Sequence, residues 1–244
     1  MDRRRFLATT LTAGTAASLT ATAAAAQEGK TIRIVGVSCS PRKGKTTATA
    51  IQVALDAAKA VDSRIRVELI DLGGLKIAGS LGGATSAEAK QPEDDFDLEV
   101  LPALKAPRVP DGMIIGSPSY FRSMSALCKA FIERLQVFRE PKLQLADMPL
   151  GALATGAYRN GGQELVIQEI QTAMLVHEVM VVGGKPRAHQ GATLWNAYKD
   201  DIMKDEFGIE TAKQLGIRVA EAAIRLAEKR ACCTDPLEIS SNMP

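Results

Sequence analysis

Ser38-Cys39-Ser40-Pro41-Arg42-Lys43-Gly44-Lys45-Thr46-Thr47 stands between an apolar run, residues 32–37, and an amphipathic one, residues 48–61. That order reads as strand, tight loop and helix start. The first N–H groups of a helix have no partner within it and carry partial positive charge. Ser and Thr hydroxyls and the cations Arg42, Lys43 and Lys45 gather at the same point. Unpaired donors, positive charge and a helix start together make a cradle for a phosphate.

Outward from this loop the chain alternates. Strand-like apolar runs fall at 32–38, 65–71, 112–118, 150–156 and 178–182, and helical patterns at 45–61, 95–104, 123–138, 163–176 and 210–229. Short β-rich runs alternating with helices imply βαβ units and a parallel sheet covered on both faces. Five such units predict an α/β, flavodoxin-like, doubly wound five-stranded parallel sheet of order 2-1-3-4-5. Its ligand lies at the carboxyl ends of the strands, where the order reverses. The phosphate loop leaves strand one at that end. Residues 73–94, rich in Gly, Ala and Ser, read as a loop or insertion, and Pro102 is expected to end or kink the second helix. Residues 185–206, with Trp195 and Tyr198, show no period and are expected to cover the site or make a subunit contact.

A chain of 244 residues suffices for one α/β domain with a sizeable core. Residues 1–26 read as a leader and not as part of that domain. Arg3-Arg4-Arg5-Phe6-Leu7, a Thr/Ala-rich stretch and Ala24-Ala25-Ala26 resemble a twin-arginine export signal with a small-residue cleavage site; the alternative is a disordered basic tail. On this reading the domain spans 27–244 and is exported, to the periplasm or another extracytoplasmic space. The leader holds three arginines and one aspartate. Without it, the 30 basic and 28 acidic residues become 27 of each, a formally neutral domain. Neutrality argues against a nucleic-acid partner, which needs a basic face. No run is both long and apolar enough to span a membrane. Cys39, Cys128, Cys232 and Cys233 have no metal-site spacing, so no metal is expected. His177 and His189 have no Ser or Cys partner at a recognisable spacing, and read as surface or satisfied core histidines.

Two comparisons bear on the phosphate loop. Gly44-Lys45-Thr46 matches the end of the nucleotide P-loop, but Cys39 stands where that pattern has its first glycine. No acid follows the run Met113-Ile114-Ile115-Gly116-Ser117-Pro118 to help hold Mg²⁺. The better comparison runs through several segments. Ser40-Pro41-Arg42-Lys43 with its following Thr residues is the first. Gly116-Ser117-Pro118-Ser119-Tyr120-Phe121-Arg122-Ser123-Met124-Ser125, continued by Leu127 and Lys129-Ala130-Phe131-Ile132-Glu133-Arg134, is the second. Ala154-Thr155-Gly156 with Gly161-Gly162-Gln163-Glu164, and the strand Val179-Met180-Val181-Val182-Gly183, complete the set. In that order, over residues 31–184, they resemble the NADPH-dependent FMN reductase and iron–sulfur flavoprotein group of flavodoxin-like proteins.

The resemblance implies FMN as cofactor, and the residues agree with its chemistry. Ser40, Arg42, Lys45, Thr46 and Thr47 are expected to hold the dianionic phosphate. Pro118, Ser119, Tyr120 and Phe121 are expected to bracket the flat ring, although the aromatic pair taken alone would read as core. Thr155, Gly156, Gly161 and Gly162 let backbone approach the ring edge. Arg122 either salt-bridges on the surface or reaches a substrate. No side chain is expected to act as a catalytic group, because the flavin carries the reaction. The sequence departs from iron–sulfur flavoproteins in having no cysteine in 73–94, where the resemblance places the cluster ligands. Lys45 and Thr46 also replace a smaller polar pair.

The function so expected is electron transfer from NAD(P)H or another reduced donor to a quinone or other small acceptor, by a homo-oligomer. Export would separate the enzyme from NAD(P)H and favour a quinol or redox-protein donor. A non-enzymatic flavodoxin-like carrier and a P-loop nucleotide hydrolase are the alternatives.

Overall fold

β1 (Ile32–Ser38) is buried along its whole length, and so is β5 (Pro149–Gly156). Strands buried on both faces are what a parallel sheet between two helical layers requires. The computed structural model describes residues 31–81, 91–197 and 199–232. The leader assigned to residues 1–26 lies outside them, as does Tyr198. Parallel pairing orders the sheet β2 (Ile65–Asp71), β1, β3 (Gly112–Tyr120), β5, with a fifth position beyond β5. This is the expected doubly wound order.

The fifth position differs from the single strand expected at 178–182. β6 (Met180–Val181) pairs with Pro149 and Leu150, and β7 (Ala192–Trp195) pairs with Leu153 to Gly156, on the same edge of β5. Between them the chain makes a tight excursion, closed by Gly184 N–H to Ala188 C=O at 2.6 Å and Gly191 N–H to Ala188 C=O at 3.0 Å. Part of the segment read as irregular is thus sheet. β4 (Ser123–Met124) turns back antiparallel on the end of β3.

Two cores flank the sheet. One holds Val35, Val37, Phe96, Phe131 and Phe138; the other holds Ile34, Ile51, Leu55, Leu153, Leu215 and Val219. α1 (Thr46–Lys59) lies flat on the second face because Gly36 has no side chain: a Cβ there would overlap Ile51. Burying Ile51 completely contributes about 1.5–3 kcal/mol. α5 (Glu206–Cys232) covers α1 on the same face. No helix among the described residues is long and apolar enough to cross a membrane.

After β2 the insertion leads through a π-helical turn, Phe96–Val100, into α2 (Leu101–Lys105). Of the two outcomes expected of Pro102, an end or a kink, the helix does not end there: the chain stays helical through it, and the π-helical turn gives way to α2 at that point. It sits in the first two residues of α2, directly after the π-helical turn. The insertion is held by a buried arginine: Arg134, at the end of α3 (Ala126–Arg134), donates to Asp94 and Asp97, each at 2.6 Å, and stacks over Phe96 at 4.8 Å. Backbone N–H of Ser80 adds a bond to Glu133 at 2.9 Å.

Candidate functional site

The loop between β1 and α1 is shaped by its own polar groups. Ser40 Oγ accepts from Arg42 N–H at 3.2 Å, closing a tight turn. Asp71, at the end of β2, accepts from Gly44 N–H at 2.7 Å and Gly73 N–H at 3.2 Å, and Gly44 takes the left-handed conformation that this approach needs. α1 then begins with no side chain capping it and no acid in its first turn. Arg42, Lys43 and Lys45 lie exposed around that start, while Ser40, Thr46 and Thr47 are buried. Thr47 and Thr155 share a hydroxyl–hydroxyl bond of 2.9 Å, which ties α1 to β5. Ser38 Oγ, at the end of β1, is buried without a partner. A positive helix end with a spare buried hydroxyl at the strand end feeding it suits an anion.

The second part is a two-residue hairpin. Tyr120 pairs with Ser123, so Phe121 and Arg122 alone make the turn, at φ 53° and 67°. Two left-handed residues are the pattern that matches strand twist, but Gly and Asn are the residues that adopt it cheaply. Bulky residues there store strain, a feature that gathers at functional sites. The surroundings over-determine it. Ser119 Oγ donates to Gly161 C=O at 2.5 Å, and Ser123 Oγ and Met124 N–H both reach Glu169, at 2.9 and 2.7 Å. Ser125 welds the hairpin to the phosphate loop. Its hydroxyl donates to Cys39 C=O at 2.6 Å and accepts from Cys128 N–H at 3.0 Å, capping α3. Phe121 is left wholly exposed, at 105%, and Tyr120 is exposed beside it.

The third part is the loop from β5 to α4 (Gln163–Met174). Gly162 caps α4 at φ 89°, and a Cβ there would come within 2.8 Å of Arg122 Cα, so this loop and the hairpin touch. Buried Gln163 donates to Tyr158 C=O at 2.7 Å. Trp195, ending β7, donates its indole N–H to Ala157 C=O at 3.1 Å and lies under the Arg159 guanidinium at 4.3 Å. Asn196 N–H reaches Gly156 C=O at 2.7 Å, and the Asn196 side-chain amide donates to Asp200 at 3.0 Å.

The structure therefore places Ser40, Arg42, Lys45, Thr46 and Thr47 together where β1 runs into α1. Pro118, Ser119, Tyr120 and Phe121 stand at the end of β3, with Thr155, Gly156, Gly161 and Gly162 beside them. Pro118 and Thr155 are register partners. Arg122, left open between two roles, makes none of the salt bridges found among the described residues and packs against Gly162. Tyr158, Arg159, Trp195, Asn196 and Asp200 join these loops through the contacts above and were not singled out as site residues from the sequence. Trp195 carried a signal, as the chain's single tryptophan in the segment expected to cover the site.

The Asn196 amide first, and the Arg42 guanidinium next, hold the Asp200 carboxyl below its ordinary range. Burial first, then contact with the Cys128 thiol, pushes the Cys39 thiol well up, so it stays protonated and is no nucleophile. His177 is buried just before β6, at the amino end of the sheet, and His189 is exposed.

FMN fits what is present: basic loop, uncapped helix start, spare hydroxyl, exposed aromatic hairpin. An iron–sulfur cluster does not. Such clusters need several cysteine thiolates together, residues 73–94 have none, and no group of three or more His, Cys, Asp or Glu among the described residues is placed to hold a metal.

Comparison with known proteins agrees on the flavin, while the curated relatives carry the iron–sulfur name that residues 73–94 of this chain do not match. The family model described as NADPH-dependent FMN reductase matches residues 32–193. An iron–sulfur flavoprotein of Methanocaldococcus jannaschii is 37% identical over 200 residues, covering 81% of this chain and 100% of that protein. An iron–sulfur flavoprotein of Methanosarcina thermophila is 32% identical over 186 residues, 75% of this chain and 93% of that one. Among solved structures, RosB with bound 8-demethyl-8-formylriboflavin-5′-phosphate matches at a TM-score of 0.63 and 14% identity, over 82% of this chain and 84% of that one, a likeness of fold alone. The cradle and the aligned length lead to one assignment: the chain belongs to the NADPH-dependent FMN reductase family and is an FMN-dependent oxidoreductase.

Proposed function

We propose that this protein passes electrons from NAD(P)H or another reduced donor, through FMN, to a quinone or other small acceptor. One observation carries the reading. An uncapped, acid-free helix start ringed by Arg42, Lys43 and Lys45 shares a sheet end with a strained hairpin that exposes Tyr120 and Phe121. The first suits a phosphate, and the second a flat aromatic ring.

FMN supplies the redox chemistry when bound. The protein binds and orients. Backbone N–H groups of the first turn of α1, with Ser38, Ser40 and the three cations, take the phosphate. The hairpin and the loop of residues 156–162 flank the ring, and their N–H groups tune its electron affinity. Neither histidine is needed as acid or base. Arg122 and Arg159, in that hairpin and that loop, suit an anionic portion of a donor or acceptor.

Location and assembly belong to the same proposal. The residue 1–26 pattern supports export of the folded, FMN-loaded protein. In that case a quinol or redox protein replaces NAD(P)H as donor. The family resemblance supports a homo-oligomer.

The test is a visible spectrum of the purified protein, identification of the released flavin, and reduction trials with NADH, NADPH and a quinol. A yellow protein releasing FMN and reduced by one of the three is expected. A colourless protein that takes up no added FMN sinks the reading.

A further inference from the structure

Arg42 stands in the phosphate loop, yet its guanidinium already holds a carboxylate. Nη1 donates to both oxygens of Asp200 at 2.9 Å. Asp200 is fixed from the other side by the Asn196 amide at 3.0 Å, and Lys45 attracts it as well. Asn196 Oδ1 is buried without a partner, so the polar groups of this corner are not all satisfied by one another. A carboxylate and a phosphate offer a guanidinium the same pair of anionic oxygens. Two such anions beside one arginine repel each other.

We propose that Asp200 is a built-in competitor for the flavin phosphate, holding Arg42 until the phosphate takes it. The proposal rests on the FMN reading given above. It adds a residue that sets how tightly a phosphorylated flavin is kept, and therefore how readily it exchanges. Asp200 acts only on the phosphate end, so an unphosphorylated flavin is indifferent to it.

Asp200→Asn keeps the shape and removes the charge. In fluorescence titrations, the variant is expected to bind FMN about tenfold more tightly than the parent, on the scale of one exposed charge pair beside a dianion. Riboflavin affinity is expected to stay within about twofold, since it lacks the phosphate. The gain is expected to vanish when Arg42→Ala is added, because the competition runs through that side chain. FMN affinity unchanged or weakened in Asp200→Asn, or a gain that survives Arg42→Ala, overturns the proposal. Inorganic phosphate, followed by amide shifts of residues 38–47, keeps the two readings apart. Tighter phosphate binding by the variant supports the role of Asp200 even if neither protein takes up FMN, a result that sinks the flavin reading alone. Unchanged phosphate binding counts against Asp200 itself.

Discussion

Phe121 sits in a backbone well that disfavours a bulky residue, and its ring recovers nothing by packing. Left-handed backbone costs a non-glycine residue about 1–2 kcal/mol. Phe121→Gly is therefore expected to raise the unfolding free energy in urea by about 1 kcal/mol, while weakening FMN binding several-fold. A variant that loses stability removes the strain argument; one that binds FMN as before removes Phe121 from the ring site. The position of Tyr120 and Phe121 at a strand end was legible in the sequence, because they follow Ser117-Pro118. Their backbone conformation was not. It follows from the Tyr120–Ser123 pairing, which leaves only two residues to reverse the chain.

At the level of elements, the insertion after β2 shows how a polar residue can do the work of packing. Arg134 is buried, and Asp94 and Asp97 converge on it from the start of the π-helical turn. The backbone N–H groups of Ala78 and Phe96, outweighing the burial that opposes them, and then the guanidinium, hold the Asp94 carboxyl below its ordinary value. Arg134→Met leaves both part-buried carboxylates without their cation and is expected to destabilise the protein by on the order of 2–3 kcal/mol. Amide exchange is expected to speed up at residues 76–81. Unaltered exchange there would show that the insertion is held by something else. The helices on either side were readable from their apolar period, within a few residues at each end. β7 was not, because four residues, Ala192–Trp195, are too few to show a period. Its pairing with β5 is decided by hydrogen bonds between segments far apart in the chain.

For the whole molecule, one buried histidine contributes to stability against acid near neutral pH. Burial first, and the Arg139 cation second, hold His177 below its usual 6.5. The folded protein keeps it neutral, whereas the unfolded chain protonates it as pH falls through 6.5. Its contribution is complete above that pH and is lost as pH drops through the lower folded value. The thermal midpoint is expected to fall more steeply below about pH 6.5 in the parent than in His177→Phe; parallel curves would exclude His177 as the cause. By itself the sequence determined the doubly wound sheet, the basic loop between the first strand and its helix, and the flavin resemblance. Strand period, loop composition and motif spacing are properties of neighbours along the chain. Only the tertiary structure decided that the fifth sheet position is shared by two short strands, that Phe121 and Arg122 are left-handed, and that Asp200 meets Arg42 across 158 positions of sequence. The first and last depend on closing the sheet, which brings together groups whose separation along the chain carries no trace of their contact; the second depends on the Tyr120–Ser123 pairing that leaves two residues to turn.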